Sequence, residues 1–221
     1  MKFSAKTWFS YLYPHTVVRF SSKYNKDIHV VQVSQQNSLY VNGSSQSGLY
    51  IRRLWRTALK SFRVNKYNSP RNILVCGVAG GTVIHLLHTL YPKATMVGVD
   101  IDKDMIDVGR KYFGLGRIHT LTLVTQDAQD FIQDGIKKGI TFDMIVIDIF
   151  IGKHLPPFLL DETFWGSVKN LLNEKGILLL NYLREDDYLA KSDKVENILI
   201  KLFMTVKDKT IYRNRFFFAV K

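Results

Sequence analysis

The clearest pattern along the chain is an alternation of short apolar runs with stretches whose apolar residues recur every three or four positions. An apolar, largely β-branched run at Asn72–Cys76 leads into several glycines and then into Thr82–Leu90, whose pattern is typical of a helix. A strand without a polar face suits the centre of a parallel sheet that is buried on both sides. The pattern therefore predicts a doubly wound α/β domain organised around this strand.

The elements predicted beyond this strand alternate in the same way. Strands are expected at 95–99, 120–124, 142–147 and 176–180, and helices at 103–112, 128–137, 163–172 and 191–203. Two last strands are expected at 204–206 and 216–220. The connection between them is too short for anything but an antiparallel pair. The result is a seven-stranded, mostly parallel, Rossmann-like sheet.

The first 69 residues carry a different pattern, which predicts a small hairpin and helix region ahead of an α/β domain at residues 70–221. Residues 28–33 and 38–41 alternate between apolar and polar side chains, as in a β-hairpin. Asn42-Gly43 is a turn signal. The polar residues just before Pro70 are interpreted as the linker between the two regions.

A helix predicted at residues 49–62 is expected to pack through Leu49, Trp55 and Leu59. Its basic side chains are expected mostly on the other side: Arg52, Arg53, Arg56 and Lys60. Residues 1–69 hold eleven lysines and arginines against the single acid Asp27, so they carry most of the net charge of +12. Such asymmetry indicates an anionic partner, for example RNA. A solvated basic face and a contact between the subunits of a homodimer are open alternatives.

Composition limits the class of protein. The chain has 221 residues, of which 46% are hydrophobic, and this is enough for a buried core. Its single cysteine, Cys76, lies within a predicted strand, so no disulfide within the chain is expected. Residues 1–14 lack an apolar run long enough for a signal peptide or a membrane span. We therefore expect a soluble, cytoplasmic protein without membrane contact.

The spacing of the glycine loop narrows the choice of ligand. The dinucleotide fingerprint G-x-G-x-x-G would need glycines at positions 79 and 82, but the chain has Ala79 and Thr82, so no pyrophosphate cradle is expected. Asp100 follows the second strand of the domain, where a carboxylate can accept hydrogen bonds from ribose hydroxyls. This combination indicates a nucleoside of the S-adenosylmethionine type. A tight turn followed by a helix-capping aspartate is the structural alternative.

Seven segments, in order, resemble motifs of the spermidine synthase (polyamine aminopropyltransferase) family, a branch of the class I S-adenosylmethionine-dependent methyltransferase fold. The segments are Ser22–Ile28 (S-x-Y-Q-x-I), Asn42–Gln46 (D-G-x-x-Q), Gly77–Thr82 (G-G-D-G-G-T), Val99–Asp102 (V-E-I-D), Gln126–Ala128 (G-D-A), Asp143–Asp148 (Y-D-V-I-I-x-D) and Leu171–Asn181 (L-K-P-G-G-I-L-x-x-N). The resemblance implies S-adenosylmethionine, or its decarboxylated form, as cofactor. The cofactor-binding residues that it implies are Gln46, Gly77, Ala79, Gly81, Asp100, Ile101, Asp127 and Ala128.

The departures from the family pattern concern the polyamine. Asp148 aligns with the first aspartate of the family's D-S-S-D-P motif, and Ile151 stands where that family has the proposed catalytic base. Ala79 replaces an aspartate that helps to hold the substrate amine. Acids expected after the hairpin motif are replaced by a stretch that includes Arg52 and Arg53. Because an isoleucine cannot accept a proton and a dication would meet uncompensated charge, the resemblance implies a kept nucleoside pocket and a lost polyamine pocket.

Asp148 and His154 are the candidates for catalysis. His154 is expected in the loop after the fourth strand, at the sheet edge where chemistry occurs in this fold, and a histidine there could act as a base near neutral pH. A solvated histidine and a strand-capping Asp148 are the open alternatives. The pair His85 and His88 is interpreted as packing or surface, so no metal site is expected.

Three functional hypotheses follow. The leading one is a transferase that moves the methyl group of S-adenosylmethionine to a small-molecule or anionic acceptor that is not a polyamine. Such a displacement can succeed mainly by positioning the acceptor, with a weak base or none. The second is an aminopropyltransferase with a relocated base. The third is a non-catalytic module that binds a nucleoside or a nucleic acid.

Overall fold

The computed structural model describes residues 13–67, 69–152, 154–185 and 187–221. These residues form a large sheet of seven strands, a small sheet of four strands and six α-helices. The strands of the large sheet are β5 (Asn72–Cys76), β6 (Thr95–Asp100), β7 (Leu121–Thr125), β8 (Phe142–Ile147), β9 (Leu172–Leu183), β10 (Thr205–Ile211) and β11 (Asn214–Val220). Their order is β10-β11-β9-β8-β5-β6-β7, and β11 runs antiparallel to both of its neighbours. The predicted fold class is confirmed.

The six helices cover both faces of the large sheet. They are α1 (Leu49–Ser61), α2 (Thr82–Leu90), α3 (Lys103–Phe113), α4 (Ala128–Lys137), α5 (Glu162–Leu171) and α6 (Tyr188–Leu202). Residues of α1 and α2 share one buried cluster with that sheet, and residues of α5 and α6 share a second. Both faces of the central strands are therefore buried, which explains their continuous apolar sequences. None of the helices in the described parts of the chain is long and apolar enough to cross a bilayer.

The small sheet consists of the antiparallel strands β1 (His15–Phe20), β2 (Ile28–Val33), β3 (Gln36–Val41) and β4 (Ser44–Ser47). The predicted hairpin is the pair β2 and β3, and Asn42-Gly43 turns the chain as expected, with both residues at positive φ. The sequence did not indicate β1 or β4. The strand β4 is entirely polar, so only its pairing with β3 makes it a strand.

The helix α1 packs against the large sheet through Leu54, Trp55, Ala58 and Leu59. The expectation that Leu49 would pack as well was wrong, because Leu49 is 52% exposed. At 100° per residue, position 49 falls on the face opposite to the buried stripe, among the basic residues. The four basic side chains of the helix are exposed, as predicted. The division into regions at residue 69 stays a prediction.

The nearly buried Arg215 joins three elements. Its guanidinium binds Asp193 and Glu196 of α6 at 2.6 Å each and Asp208 of β10 at 2.7 Å, and these ion pairs raise the pKa of the arginine against the effect of burial. We expect Arg215→Met to lower the free energy of unfolding by about 2 kcal/mol, because three carboxylates lose their cation. Urea denaturation with Lys207→Met, an exposed residue of β10, as control measures this. Equal losses in the two variants would contradict a special role for Arg215.

Candidate active site

Two cavities meet at the carboxyl ends of the parallel strands. The first lies over the ends of β5 and β6. The second lies beside the start of α1, over the ends of β8 and β9. Four residues line both cavities: Gln46, Asp148, Phe150 and Gly152. A ligand in one cavity would therefore lie next to a ligand in the other.

The glycine loop after β5 forms the floor of the first cavity. Gly77 has φ +92°, and a Cβ atom there would lie 2.0 Å from the carbonyl oxygen of Asp148. The amide of Gly77 donates to the carbonyl of Val99 at 2.8 Å, and the amide of Asp148 donates to the carbonyl of Cys76 at 2.8 Å. Because the ends of β5, β6 and β8 approach one another so closely here, only glycine fits at position 77.

Asp100 holds the glycine loop from the end of β6. Its Oδ2 accepts hydrogen bonds from the amides of Val78 and Ala79 at 2.9 and 3.2 Å, and its Oδ1 accepts one from the amide of Asp102 at 3.0 Å. Burial raises the pKa of Asp100, and the backbone hydrogen bonds oppose that rise. Because an ionised carboxylate offers about four acceptor positions, Asp100 can still accept hydroxyl groups of a ligand.

The walls of the first cavity suit a nucleoside. Apolar side chains of Ile101, Met105 and Phe158 provide surfaces for a flat base, and Asp127 stands at the same wall. One oxygen of Asp127 caps α4 by accepting the amide of Gln129 at 2.7 Å, which leaves its other oxygen for an amino group. The described residues that line this cavity include no lysine or arginine, so the phosphate groups of a nucleotide would find no cation there. The residues present therefore fit S-adenosylmethionine.

The small sheet and the loop that precedes β2 form another wall of the first cavity. Tyr24 and Asn25, in the loop before β2, line the cavity. The side chain of Asn25 donates to Asp102 at 3.1 Å, and the hydroxyl of Ser22 donates to the same carboxylate at 2.5 Å. Gln46 donates to the carbonyl of Gly152 at 2.9 Å and so ties the small sheet to the loop after β8.

The second cavity is mainly polar. Its lining includes the amides of Asn181 and Asn214, hydroxyl groups of β4 and the ring of Tyr50. Asp148 and Glu185 are the carboxylates among its described lining residues, and Glu185 forms an ion pair with Arg213. One carboxylate in this cavity is thus engaged by a guanidinium, whereas Asp148 is held by uncharged donors.

Asp148 lies at the boundary between the two cavities. Its Oδ2 accepts a hydrogen bond from Trp55 Nε1 at 2.9 Å, and its Oδ1 accepts one from Asn181 Nδ2 at 2.8 Å. Burial raises the pKa of Asp148 to about 6, although these two hydrogen bonds favour the charged form. A carboxyl group of this pKa is mostly ionised at neutral pH, yet it can still take up a proton.

Most of the predicted cofactor residues line the first cavity: Gln46, Gly77, Ala79, Asp100, Ile101, Asp127 and Ala128. Gly81 does not; it is the N-cap residue of α2, and an added Cβ atom there would lie 2.3 Å from the side chain of Leu115. His154 lies outside both linings; it is exposed, and its Nδ1 is 3.4 Å from the hydroxyl of Tyr188. The structure therefore brings Asp148, but not His154, to the junction of the cavities.

The remaining candidates lie away from the cavities. Arg52 borders a separate groove together with His85 and His88, and the other basic residues of α1 do not line either cavity. His85 Nε2 lies 2.7 Å from the carbonyl of Phe113. The described residues contain no group of three or more histidine, cysteine, aspartate or glutamate side chains suited to a metal ion. Binding of RNA by α1 stays a prediction.

Sequence reasoning missed several residues of the site. Trp55 was expected only in the core, but its indole N–H also reaches Asp148. A polar residue at the end of the apolar strand β9 was a usable signal for Asn181. Asn214 carried no signal, because it follows an ordinary turn and lies far from Asp148 in the sequence.

Comparison with known proteins shows to which family the chain belongs. Residues 55–210 match the family model described as the spermine/spermidine synthase domain. The chain belongs to the spermine/spermidine synthase family. The matched range includes Asp100, Asp127 and Asp148.

Curated relatives of this family member include aminopropyltransferases and methyltransferases. The polyamine aminopropyltransferase of Vibrio vulnificus is 34% identical over 51% of this chain and 38% of its own length. The eEF1A lysine and N-terminal methyltransferase homolog of Drosophila melanogaster is 29% identical over 64% of this chain and 22% of its own length. The chain thus spans well under half of the length of each of these relatives.

Solved structures show the same fold. Human methyltransferase-like protein 13 in complex with SAH superposes with a TM-score of 0.66 at 24% identity, covering 75% of this chain and 81% of that one. A probable spermidine synthase from Corynebacterium glutamicum superposes with a TM-score of 0.75 at 17% identity, covering 92% of this chain and 79% of that one. The spermidine synthase family member described here therefore has the class I methyltransferase fold.

Proposed function

We propose that this spermidine synthase family member binds S-adenosylmethionine in the first cavity and transfers its methyl group to a non-polyamine acceptor in the second. The observation that carries the proposal is Asp148, which lines both cavities and whose pKa is raised to about 6. A proton acceptor at the boundary between cofactor and acceptor is what a nucleophile such as an amine needs.

The chemistry follows from the positions of the residues. When bound, S-adenosylmethionine supplies an electrophilic methyl group on a sulfonium. Asp100 and Asp127 would hold the nucleoside, and the apolar walls would exclude water from the base. Asp148 would accept the proton that the acceptor atom loses on methylation, with the demethylated cofactor as the leaving group. Trp55 and Asn181 keep the carboxylate in place during this step.

The two cavities together offer a polyamine few free carboxylates. Ala79 and Ile151, at two positions where the family has acids, line the first cavity with uncharged groups. Glu185 is already bound by Arg213, so a second ammonium group would have to compete with a guanidinium for it. Leaving an ammonium unpaired in a desolvated site costs on the order of a few kcal/mol. These features favour an acceptor that presents a single nucleophile.

Aminopropyl transfer is the second candidate, and one observation favours it. Asp148 and Glu185 both line the second cavity, so a diamine could contact one carboxylate with each end if Arg213 moved away from Glu185. The identity of 34% to the Vibrio vulnificus aminopropyltransferase points the same way. In that case the cofactor would be decarboxylated S-adenosylmethionine.

The two functions differ in their products. We expect labelled S-adenosylmethionine and a panel of single amines, small peptides and RNA to give a methylated acceptor and S-adenosylhomocysteine. A parallel reaction with decarboxylated S-adenosylmethionine and putrescine should give no methylthioadenosine. Formation of methylthioadenosine and spermidine would replace our proposal by the second candidate. Cofactor binding without any transfer would favour a non-catalytic module.

A further inference from the structure

A row of three hydrogen bonds runs beneath the second cavity from β11 to α1. Asn214 Nδ2 donates to Asn181 Oδ1 at 2.8 Å, Asn181 Nδ2 donates to Asp148 Oδ1 at 2.8 Å, and Trp55 Nε1 donates to Asp148 Oδ2 at 2.9 Å. We call these four residues the amide relay. Asn181 is 3% exposed and Asn214 is 8% exposed, so water has little access to their amide groups.

The chemistry of the four side chains determines which group donates and which accepts in each hydrogen bond of the amide relay. An indole N–H can only donate and an ionised carboxylate can only accept, whereas the side-chain amide of Asn181 can present either its nitrogen or its oxygen. The donor from Asn214 occupies the oxygen of Asn181 and so leaves the nitrogen of Asn181 facing Asp148. A rotated Asn181 amide would place its oxygen against the carboxylate, with no proton between two buried acceptors.

We propose that Asn214 is a positioning residue for the transfer step, acting through Asn181 to hold the Asp148 carboxylate toward the acceptor. This inference rests on the proposed role of Asp148 as proton acceptor. The other charged groups that line the cavities are Asp100, Asp102 and Asp127 in the first and Glu185 and Arg213 in the second. None of them bonds directly to Asp148 among the described residues, so the amide of Asn181 and the indole of Trp55 are its immediate partners.

Removal of the Asn214 side chain should raise the pKa of Asp148. Without it, Asn181 is free to rotate, and Asp148 then loses one of its two donors for part of the time. Burial continues to favour the protonated form of Asp148, so the pKa of this carboxyl rises above its value of about 6. At neutral pH fewer molecules then carry Asp148 in the ionised form that can accept a proton.

The test measures the ionisation of Asp148 in addition to activity. In Asn214→Ala we expect the titration midpoint of the Asp148 carboxyl carbon, followed by NMR on the full chain and assigned with Asp148→Asn, to move upward. We expect kcat/KM for methyl transfer at pH 7 to fall about tenfold and to recover partly at higher pH, since one charged hydrogen bond is lost. Affinity for S-adenosylhomocysteine should stay within about twofold, because Asn214 does not line the first cavity.

A matched control variant distinguishes the specific effect of Asn214 from the effect of losing any hydrogen-bonded asparagine side chain. Asn173 Nδ2 donates to Asp143 Oδ1 at 2.7 Å, which is the same kind of bond between β9 and β8 but at the opposite end of the large sheet. Asn173→Ala should leave both the Asp148 midpoint and kcat/KM unchanged. If Asn214→Ala does not fold, Asn214→Asp keeps the shape but makes position 214 an acceptor. Asn181 would then turn its oxygen toward Asp148, and the midpoint should rise further.

The outcomes distinguish this inference from the proposed function. An Asp148 midpoint that stays at the wild-type value in the Asn214 variants overturns the relay. A wild-type protein that binds the cofactor but methylates no acceptor overturns the proposed function, and a raised midpoint in Asn214→Ala would still support the relay as a structural device. If the wild type is active and Asn214→Ala shows the same pH profile as the wild type, only the positioning role of Asn214 is overturned.

Discussion

Asp148→Asn will lower kcat/KM for methyl transfer by about a thousandfold, in the range usual for loss of a general base. The replacement keeps the shape of the side chain, but its amide cannot take up the proton that the acceptor loses. Binding of S-adenosylhomocysteine should change by no more than a few fold, because Asp100 and Asp127 are untouched. Steady-state kinetics and calorimetry on the same preparation measure the two effects.

The pH profile makes this prediction sharper. The ionised form of Asp148 is the active one, so wild-type kcat/KM should rise with pH up to about 6 and then level off. The residual activity of Asp148→Asn should lack this step. Asp143→Asn is the control, since Asp143 lies at the other end of β8 and bonds the amides of Arg71 and Asn72. A wild-type profile that is flat between pH 5 and 7 would rule out Asp148 as the base.

The second large effect is expected for Asp100→Ala, which should weaken binding of S-adenosylmethionine by more than about a hundredfold. The substitution removes the acceptor for the amides of Val78 and Ala79, and it also removes the acceptor available to the ribose. Charged hydrogen bonds contribute about 1.5 to 3 kcal/mol each, so the loss of two of them corresponds to this change in affinity.

Calorimetry with the cofactor and with S-adenosylhomocysteine measures the change directly. Asp104→Ala is a suitable control, because Asp104 is exposed in the first turn of α3 and does not line the first cavity. Thermal unfolding should accompany the titration, since a loop released from Asp100 also lowers stability. Binding of unchanged affinity in Asp100→Ala would show that the nucleoside lies elsewhere.

Much of the fold could be predicted because its strongest elements carry their own signals. The central strand β5 and the helices α2 and α4 begin and end where the sequence indicated, since continuous apolar runs and helical periods are local properties. The all-polar strand β4 has no such pattern, and it exists because β3 offers hydrogen bonds. Leu49 was misplaced because its apolar character outweighed its angular position on α1.

In the candidate site, too, some residues could be predicted from the sequence and others could not. The cofactor cavity is built from loops that directly follow predicted strands, so Gly77, Asp100 and Asp127 could be found from spacing and resemblance. The two donors to Asp148, Trp55 and Asn181, and the donor to Asn181, Asn214, come from three distant parts of the chain. Only the tertiary structure brings them together, and the pKa of Asp148 depends on burial that no sequence window reports.

The position of β11 has a consequence for synthesis of the chain. In the sequence β11 follows both β9 and β10, but in the sheet it lies between them, and its residues Phe216, Phe217 and Phe218 are almost completely buried. Until these residues emerge, the apolar strand β9 presents an unpaired edge, which is the kind of surface that promotes aggregation of nascent chains. A chain that stops before residue 214 lacks both β11 and Asn214, although it contains the glycine loop and Asp100. Loss of β11 would thus leave the edge of β9 exposed and would remove the donor to Asn181 at the same time.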